Sequence, residues 1–292
     1  MLNPVFTNTS SEIISPSRHF PRVLALVQAF PNFEPPNMEH VSSSVTLVEL
    51  KGSLIPPTWE DTVRRVGMSE CREVGLSLAH SFAADDLSQY LLGADDMAHL
   101  SPEQKWRLHV DIMTYIAAAH FLKGIVTTIG PEHDCVAVWL PPGVDVDGWW
   151  IALRSGLWRM YYLLSAEGRR RYFQELLPLL HDTKLEVMGS RDTDCYYLVY
   201  LGTKPKARGQ GYATRLLQDM ARVADAENRP IYLESSSPSN TRYYKKFGFE
   251  VKKDIVLTRG CEPVLLSAMV REPQPRDATY QYCKFQGVKV KA

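Results

Sequence analysis

The chain has 292 residues, and its 33 basic and 33 acidic residues cancel to no net formal charge. A balanced charge creates no field that would draw the protein to nucleic acid or to an anionic membrane, and no apolar run approaches the roughly 18 residues of a membrane span. Five scattered cysteines without a Cys-x-x-Cys pair predict neither a metal site nor a disulfide framework, and they favour a reducing, cytoplasmic compartment.

The distribution of proline divides the chain near residue 58. Residues 1–57 contain eight of the 19 prolines and only short apolar segments, which is typical of an irregular arm without a core of its own. We therefore expect a Pro/Ser-rich N-terminal arm over 1–57 and one domain over 58–292.

Regular elements begin after this arm, with a strand predicted at 63–66 and a helix at about 69–82. The clearest helix start is Ser101-Pro102-Glu103-Gln104, where serine caps, proline takes the first helical position and glutamine completes a capping box. This helix should end at Gly124. The elements predicted next are a strand hairpin at 125–129 and 135–140, helices at 148–164 and 167–180, a strand at 196–201, a helix at 214–221, and strands at 231–235, 250–257 and 264–270.

The segment 208–213, Arg-Gly-Gln-Gly-Tyr-Ala, joins the buried strand at 196–201 to the helix that follows. Backbone N–H groups and the helix dipole at such a junction attract an anion, and glycine allows a ligand to approach closely. No Gly-Lys-Ser/Thr follows, so the segment is not a P-loop, and it lacks the third glycine of a dinucleotide fingerprint. It therefore predicts another kind of phosphate site, or a tight turn without a ligand.

A second motif lies one strand further along the chain. After the strand at 231–235, Asn240 is followed by Tyr244 and then by Gly248 and Phe249. The two motifs together resemble the Arg/Gln-x-x-Gly-x-Gly/Ala and Asn…Tyr-x-x-x-Gly-Phe signatures of the GNAT N-acetyltransferases, and they are most similar to the puromycin N-acetyltransferase-like branch. The resemblance implies a mixed α/β fold with a splayed central sheet flanked by helices. It also implies acetyl-coenzyme A as co-substrate, bound by a motif region over 196–249.

The resemblance assigns binding residues position by position. A backbone N–H near Leu201 or Gly202 would polarise the thioester carbonyl, although Gly202 is also a candidate for a plain packing glycine. The loop backbone and the charge of Arg208 would hold the pyrophosphate. The implied acetyl-coenzyme A-binding residues are Leu201, Gly202, Thr203, Arg208, Gly209, Gln210, Gly211, Tyr212, Ala213, Thr214 and Asn240.

Two residues fall on catalytic positions of the family. Tyr244 would be the general acid, because a phenol of pKa about 10 matches the basicity of a departing thiolate, while its neighbour Tyr243 would pack against the core. Glu234 would take the proton of the acceptor amine, or would only orient the substrate. His133 and His181 are alternative bases, but their positions in a turn and at a helix end favour surface histidines.

These residues predict transfer of an acetyl group from acetyl-coenzyme A to the primary amine of a small molecule, by direct attack in a ternary complex. The alternatives are a protein lysine or N-terminal acetyltransferase and a non-catalytic acyl-coenzyme A-binding module. An aromatic-rich stretch from Trp149 to Tyr162 would enclose a small acceptor, unless it is core packing. The acidic residues Asp85, Asp86, Asp95 and Asp96 would favour a cationic amine, unless they are solvated helix ends, and the three arginines at 169–171 are expected on a solvated helix face.

Overall fold

A computed structural model describes residues 54–275, and its central element is a seven-stranded mixed sheet. The strands are β1 Arg64–Arg65, β2 Ile125–Ile129, β3 Cys135–Leu140, β4 Tyr196–Thr203, β5 Ile231–Ser235, β6 Phe249–Leu257 and β7 Val264–Arg271. They lie in the order β1-β2-β3-β4-β5-β7-β6. Neighbouring strands are antiparallel, except for the parallel central pair β4 and β5.

Helices occupy most of the connections between strands. They are α1 Cys71–Phe82, α2 Asp86–Leu92, α3 Pro102–Lys123, α4 Trp149–Ser155, α5 Met160–Leu163, α6 Ala166–Arg169, α7 Leu177–Met188, α8 Tyr212–Ala226 and α9 Pro238–Lys245, with a π-helical segment Arg170–Leu176 between α6 and α7. Helix α3 begins with the predicted capping box, since Gln104 N–H donates to the Ser101 hydroxyl and Ser101 N–H donates to the Gln104 side chain. No helix within 54–275 is long and apolar enough to cross a membrane.

Different helices cover the two faces of the sheet, because alternate residues of each strand point to opposite sides. On one face, Leu216 of α8 packs with Leu233 of β5. On the other, Leu78 of α1 packs with Val136 of β3, and α7 covers the same side closer to β7 through Met188. Strands β4 and β5 therefore lie between apolar cores on both faces of the sheet.

The sheet opens between β4 and β5. Strand β3 pairs with β4 along its length, but β5 pairs with β4 only at residues 196–198. Val138 pairs with Tyr200 and Trp139 with Leu198, so Val199 is an extra residue that forms a bulge in β4. A bulge bends and twists its strand, and β4 is unpaired with β5 beyond it. The predicted mixed α/β fold with a splayed central sheet is confirmed.

Three segments differ from the prediction. Helix α2 was not predicted. The helix expected at 148–164 is interrupted because Gly156 has a φ of 78°, which ends α4. The helix expected at 167–180 begins one residue earlier and extends to Met188 through the π-helical segment. The predicted arm at 1–57 lies almost entirely outside the described residues.

The expectation that arginines 169–171 form a solvated helix face is wrong. Arg171 is only 6% exposed. Its guanidinium donates to the backbone oxygens of Tyr90 at 2.6 Å and Arg259 at 3.2 Å. Of the three arginines, Arg170 alone is fully on the surface. The buried guanidinium therefore links the π-helical segment to α2 and to the turn after β6.

Candidate active site

The loop between β4 and α8 has the geometry of an anion site. Gly209 and Gly211 have φ values of 83° and 77°, in the left-handed region that favours glycine. Gly211 is the N-cap of α8, and no side chain caps this helix end. A Cβ added at either glycine would meet no atom within 4 Å. The first-turn N–H groups of a 15-residue helix therefore lie beside open space, where the helix dipole favours an anion.

The other predicted cofactor-binding side chains differ in their contacts and exposure. The Arg208 guanidinium donates to the backbone oxygens of Thr203 at 3.4 Å and Ser81 at 3.3 Å, so it ties the end of β4 to the end of α1 while remaining exposed. The Thr214 hydroxyl lies 3.1 Å from that of Tyr243 and links α8 to α9. Gln210 and Asn240 are exposed, Ala213 is half-buried, and Tyr212 is buried.

We expect Gly211→Ala to raise the Kd for acetyl-coenzyme A at least about tenfold. The added methyl group has room within the protein, but it would occupy the open space beside the helix N–H groups. Gly143→Ala is the matched control, because Gly143 has a φ of 73° and the same open surroundings but lies between β3 and α4. Titration calorimetry measures both variants. A wild-type Kd for Gly211→Ala would contradict the assignment of the phosphate loop.

Beyond the bulge, β4 directs backbone N–H groups toward the opening. Lys204 N–H donates to Asp134 O, so alternation along β4 turns the N–H groups of Leu201 and Thr203 away from β3. The Leu201 N–H, predicted as the carbonyl donor, is therefore not used in pairing with β3. Gly202 N–H is directed to β3 instead.

Gly202 allows close packing between α1 and β4. A Cβ at this position would lie 2.7 Å from Ser81 Cβ and 2.9 Å from Phe82 Cε2. Both distances are shorter than van der Waals contact, so a side chain would force α1 away from the strand. Of the two interpretations of Gly202, these contacts favour the packing glycine.

Tyr244 lies on the α8/α9 side of the sheet and is 9% exposed. Its ring centroid is 5.7 Å from those of both Tyr243 and Phe249. Burial raises the pKa of Tyr244, and the nearby Tyr243 and Cys135 add to this effect. The hydroxyl therefore stays protonated at neutral pH, as a general acid must before the reaction. Tyr243, predicted only to pack, also makes the hydrogen bond to Thr214.

Glu234 lies near the end of β5 and on the opposite face. The Tyr197 hydroxyl donates to Glu234 Oε2 at 2.7 Å, whereas Oε1 is buried without a hydrogen-bonding partner among the described residues. Burial raises the pKa of Glu234 from 4.5 to about 7, although hydrogen bonding from Tyr197 and the charge of Lys184 lower it. A carboxylate with this pKa can accept and release a proton near neutral pH.

Sequence reasoning missed a group of tyrosines near Glu234, namely Tyr172, Tyr197 and Tyr200, which we call the aromatic recess. All three are partly exposed, and electrostatic interactions link Tyr200 to Tyr172 and to Glu234. Phe82 meets Tyr200 edge-on, with ring centroids 5.5 Å apart. The alternation of residues along 196–201 predicts the face of the sheet on which Tyr197 lies. The contact of Tyr197 with Glu234 of β5 could not be predicted, because it depends on the register between the two strands.

Asp85 and Asp96, two of the acidic residues, accept hydrogen bonds at helix ends, and Asp85 also lies near the aromatic recess. Asp85 caps α2 by accepting from Leu87 N–H at 3.1 Å. It also accepts from the Ser236 hydroxyl at 2.7 Å, next to β5, and burial raises the pKa of its carboxyl. Asp96 accepts from Glu167 N–H at 2.9 Å. Helix-end roles therefore hold for both residues, and Asp85 in addition reaches the recess.

The alternative bases, His133 and His181, differ in their exposure. His133, expected on the surface, is 8% exposed and its Nε2 lies 2.7 Å from Glu70 Oε2, so that expectation is wrong. His181 is exposed on α7.

Trp149 and Trp150 of the aromatic-rich stretch are 46% and 54% exposed, so the core-packing interpretation fails for them. Within 54–275, no group of three or more His, Cys, Asp or Glu side chains could hold a metal ion.

Comparison with known proteins identifies the family. Residues 181–251 match the family model described as an acetyltransferase (GNAT) domain. An uncharacterized N-acetyltransferase of Schizosaccharomyces pombe is 37% identical over 222 residues, which cover 76% of this chain and 87% of that protein. The chain belongs to the GNAT family of N-acetyltransferases. Acetyl-coenzyme A is the co-substrate that GNAT enzymes generally use, and the open, uncapped loop before α8 fits its pyrophosphate.

Solved GNAT structures resemble the chain more loosely. One is a structure of histone acetyltransferase HPA2 and related acetyltransferase from Corynebacterium glutamicum, with a TM-score of 0.46, 19% identity, and coverage of 74% of this chain and 98% of that one. Another is arylalkylamine N-acetyltransferase 2 from Aedes aegypti, with a TM-score of 0.46, 15% identity, and coverage of 73% and 99%. The family assignment of this GNAT protein rests on the sequence relative and not on these structures.

Proposed function

We propose that the protein transfers the acetyl group of acetyl-coenzyme A to the primary amine of a small molecule, by direct attack in a ternary complex. The observation that carries this proposal is the position of Glu234 and Tyr244 on opposite faces of the sheet, with Glu234 directly beyond the point where β4 and β5 separate. A base on one side and an acid on the other suit a reaction in which one proton is removed and another is supplied.

Glu234 has the properties needed to prepare the amine. An aliphatic amine of pKa about 10.4 is only roughly 0.04% neutral at pH 7, which corresponds to about 4.6 kcal/mol. Glu234 accepts the proton that leaves the amine nitrogen, because its raised pKa of about 7 makes the carboxylate more basic than an ordinary glutamate while about half of it stays ionised at pH 7.

The other groups act on the thioester that acetyl-coenzyme A supplies. Leu201 N–H donates to the carbonyl oxygen as negative charge develops there. Tyr244 gives its proton to the sulfur as the C–S bond breaks. The nitrogen lone pair thus replaces the sulfur on the carbonyl carbon, and the second proton that the nitrogen loses on becoming an amide restores the Tyr244 hydroxyl.

The cysteines support direct attack over a covalent enzyme intermediate. Cys135 is fully buried on β3 near Tyr244, and burial raises the pKa of its thiol to about 12. Burial raises the pKa of Cys71 to about 11. Such thiols are poorly ionised at neutral pH and make weak nucleophiles. Cys261 is exposed in the turn between β6 and β7, and Cys283 lies outside the described residues.

The recess supports a small, cationic acceptor. Burial raises the pKa of Tyr200, and Asp85 and Glu234 add to this effect, so two carboxylates lie within electrostatic range of one aromatic side chain. Aromatic faces and carboxylates together attract an ammonium group. Small-molecule sites also bury most of their ligand, and the partly accessible rings of Tyr172 and Tyr200 would allow this.

A panel of acceptors tests the proposal by the release of free coenzyme A. Polyamines, amino acids, aminonucleosides, and histone-like and N-terminal peptides are compared at equal acetyl-coenzyme A. We expect the best small amine to exceed every peptide in kcat/KM by at least about tenfold. Higher kcat/KM for a peptide would favour a protein acetyltransferase, and binding of acetyl-coenzyme A without turnover on any acceptor would favour the non-catalytic module.

A further inference from the structure

Two tyrosines from adjacent strands enclose the Glu234 carboxylate. Tyr197 of β4 and Tyr232 of β5 are register partners in the parallel pair, and their ring centroids lie 5.4 Å apart. Both side chains project to the α7 face, where Glu234 follows Tyr232 by one alternation of β5. Glu234 thus lies one residue beyond the last paired positions, Leu198 and Leu233, where the strands separate.

The two carboxylate oxygens have different surroundings. Oε2 accepts the 2.7 Å hydrogen bond from Tyr197. The fully buried Tyr232 also lowers the pKa of Glu234 through a side-chain hydrogen bond, but this contact is poorly formed, since neither the Tyr232 hydroxyl nor Oε1 has a hydrogen bond of good geometry to residues 54–275. Buried polar atoms are nearly always paired, so Oε1 keeps a lone pair that a bound group can use.

We infer that Tyr197 is a positioning residue for proton transfer, which fixes Glu234 through Oε2 and so leaves Oε1 as the atom that takes the proton of the acceptor amine. This inference rests on the proposed function, because it requires that Glu234 acts as the base. Tyr197 acts through Glu234 and does not itself exchange the proton.

Other charged and titratable groups face the same carboxylate. Lys184 of α7 lies 5.9 Å from both tyrosine rings, and its ammonium group pairs with Asp192 at 2.6 Å. The remaining groups around Glu234 are Tyr200 on β4, Asp85 before α2, Lys253 on β6 and its partner Glu186 on α7. Of these side chains, Tyr197 alone donates a hydrogen bond of good geometry to Glu234, so its removal should have a specific effect on proton affinity.

The test is the pH dependence of kcat for Tyr197→Phe with the best acceptor. Loss of the donor raises the proton affinity of Glu234, so the acidic limb of the profile should move to higher pH by at least about half a unit. At pH values above the limb, kcat should return to within a few-fold of wild type. A tyrosine that only stabilised the fold would lower kcat equally at all pH values and leave the limb in place.

Tyr196→Phe is the matched control. Tyr196 also donates to a glutamate, Glu227 Oε2 at 2.9 Å, but it lies on the opposite face of β4. Its removal should leave the limb unchanged. If Tyr197→Phe fails to fold, 3-fluorotyrosine at position 197 replaces it. This stronger donor should move the limb to lower pH.

The outcomes separate this inference from the proposed function. If the acidic limb of the pH profile is still present in Glu234→Gln, Glu234 is not the base. The role inferred for Tyr197 is then wrong as well. A limb that disappears in Glu234→Gln but is identical in wild type, Tyr197→Phe and the fluorinated protein leaves the proposed function standing and overturns the inference alone.

Discussion

Glu234→Gln should lower kcat at pH 8 by about 100-fold or more, because a positioned general base contributes roughly 10²–10⁴-fold to a rate. In the wild-type protein kcat should rise with pH through about 7, the pKa of the buried carboxyl, as Glu234 loses its proton. The variant has no group that ionises there, so this acidic limb should be absent. Steady-state kinetics from pH 5.5 to 9 on the best acceptor measure both effects.

Glu227→Gln is the control for this substitution. Glu227 also accepts a tyrosine hydroxyl, that of Tyr196 at 2.9 Å, but on the α8 side of the sheet. It should keep the wild-type profile. If Glu234→Gln changed only the KM of the amine and retained the acidic limb, Glu234 would orient the substrate without accepting its proton.

Tyr244→Phe should lower kcat by about 10- to 1000-fold and leave the Kd for acetyl-coenzyme A nearly unchanged, as expected for a general acid. Phenylalanine keeps the ring contacts with Tyr243 and Phe249, so the fold should persist. Because burial raises the pKa of Tyr244 above that of a free phenol, this residue should cause no basic limb below about pH 10. Single-turnover kinetics and calorimetry separate the chemical step from binding.

Tyr243→Phe distinguishes the two adjacent tyrosines. It removes the hydroxyl that contacts Thr214 of α8, while the ring remains. We expect a smaller loss of kcat than for Tyr244→Phe. An equal or larger loss would transfer the acid role to Tyr243, and a parallel loss of acetyl-coenzyme A binding in Tyr244→Phe would make that residue structural.

The helices and strands that were predicted correctly from the sequence have strong local signals. The capping box at Ser101 fixes the start of α3, and the hairpin strands β2 and β3 have the predicted bounds. Strand β5 is likewise as predicted. In each case the residues that determine the element lie inside it or at its ends, so no distant contact is needed to find it.

The predictions that failed concern residues whose surroundings depend on distant contacts or on the backbone conformation of one residue. Three consecutive arginines are usually solvated, but Arg171 meets backbone oxygens 81 and 88 residues away in sequence. His133 is buried and contacts Glu70, which is 63 residues away in sequence. The break at Gly156 depends on one left-handed residue, and glycine permits that conformation without requiring it.

The candidate site shows the same division. Glu234, Tyr244 and the loop before α8 belong to short motifs that can be located from the sequence. The partner of Glu234 cannot, because Tyr197 reaches it only through the three-residue parallel pairing of β4 with β5. Register between parallel strands depends on packing at both faces, and no local pattern in 196–201 specifies it.

The burial of Glu234 has a thermodynamic consequence for the folded state. Its pKa of about 7 lies above the ordinary value of 4.5 that it regains in the unfolded chain. Between these values the folded protein binds more protons than the unfolded one, so the free energy of unfolding falls as pH rises through the interval, opposite to the usual carboxylate. A difference of this size corresponds to about 3 kcal/mol. Conformational stability and ionisation of the proposed base therefore compete, and the same apolar surroundings set both.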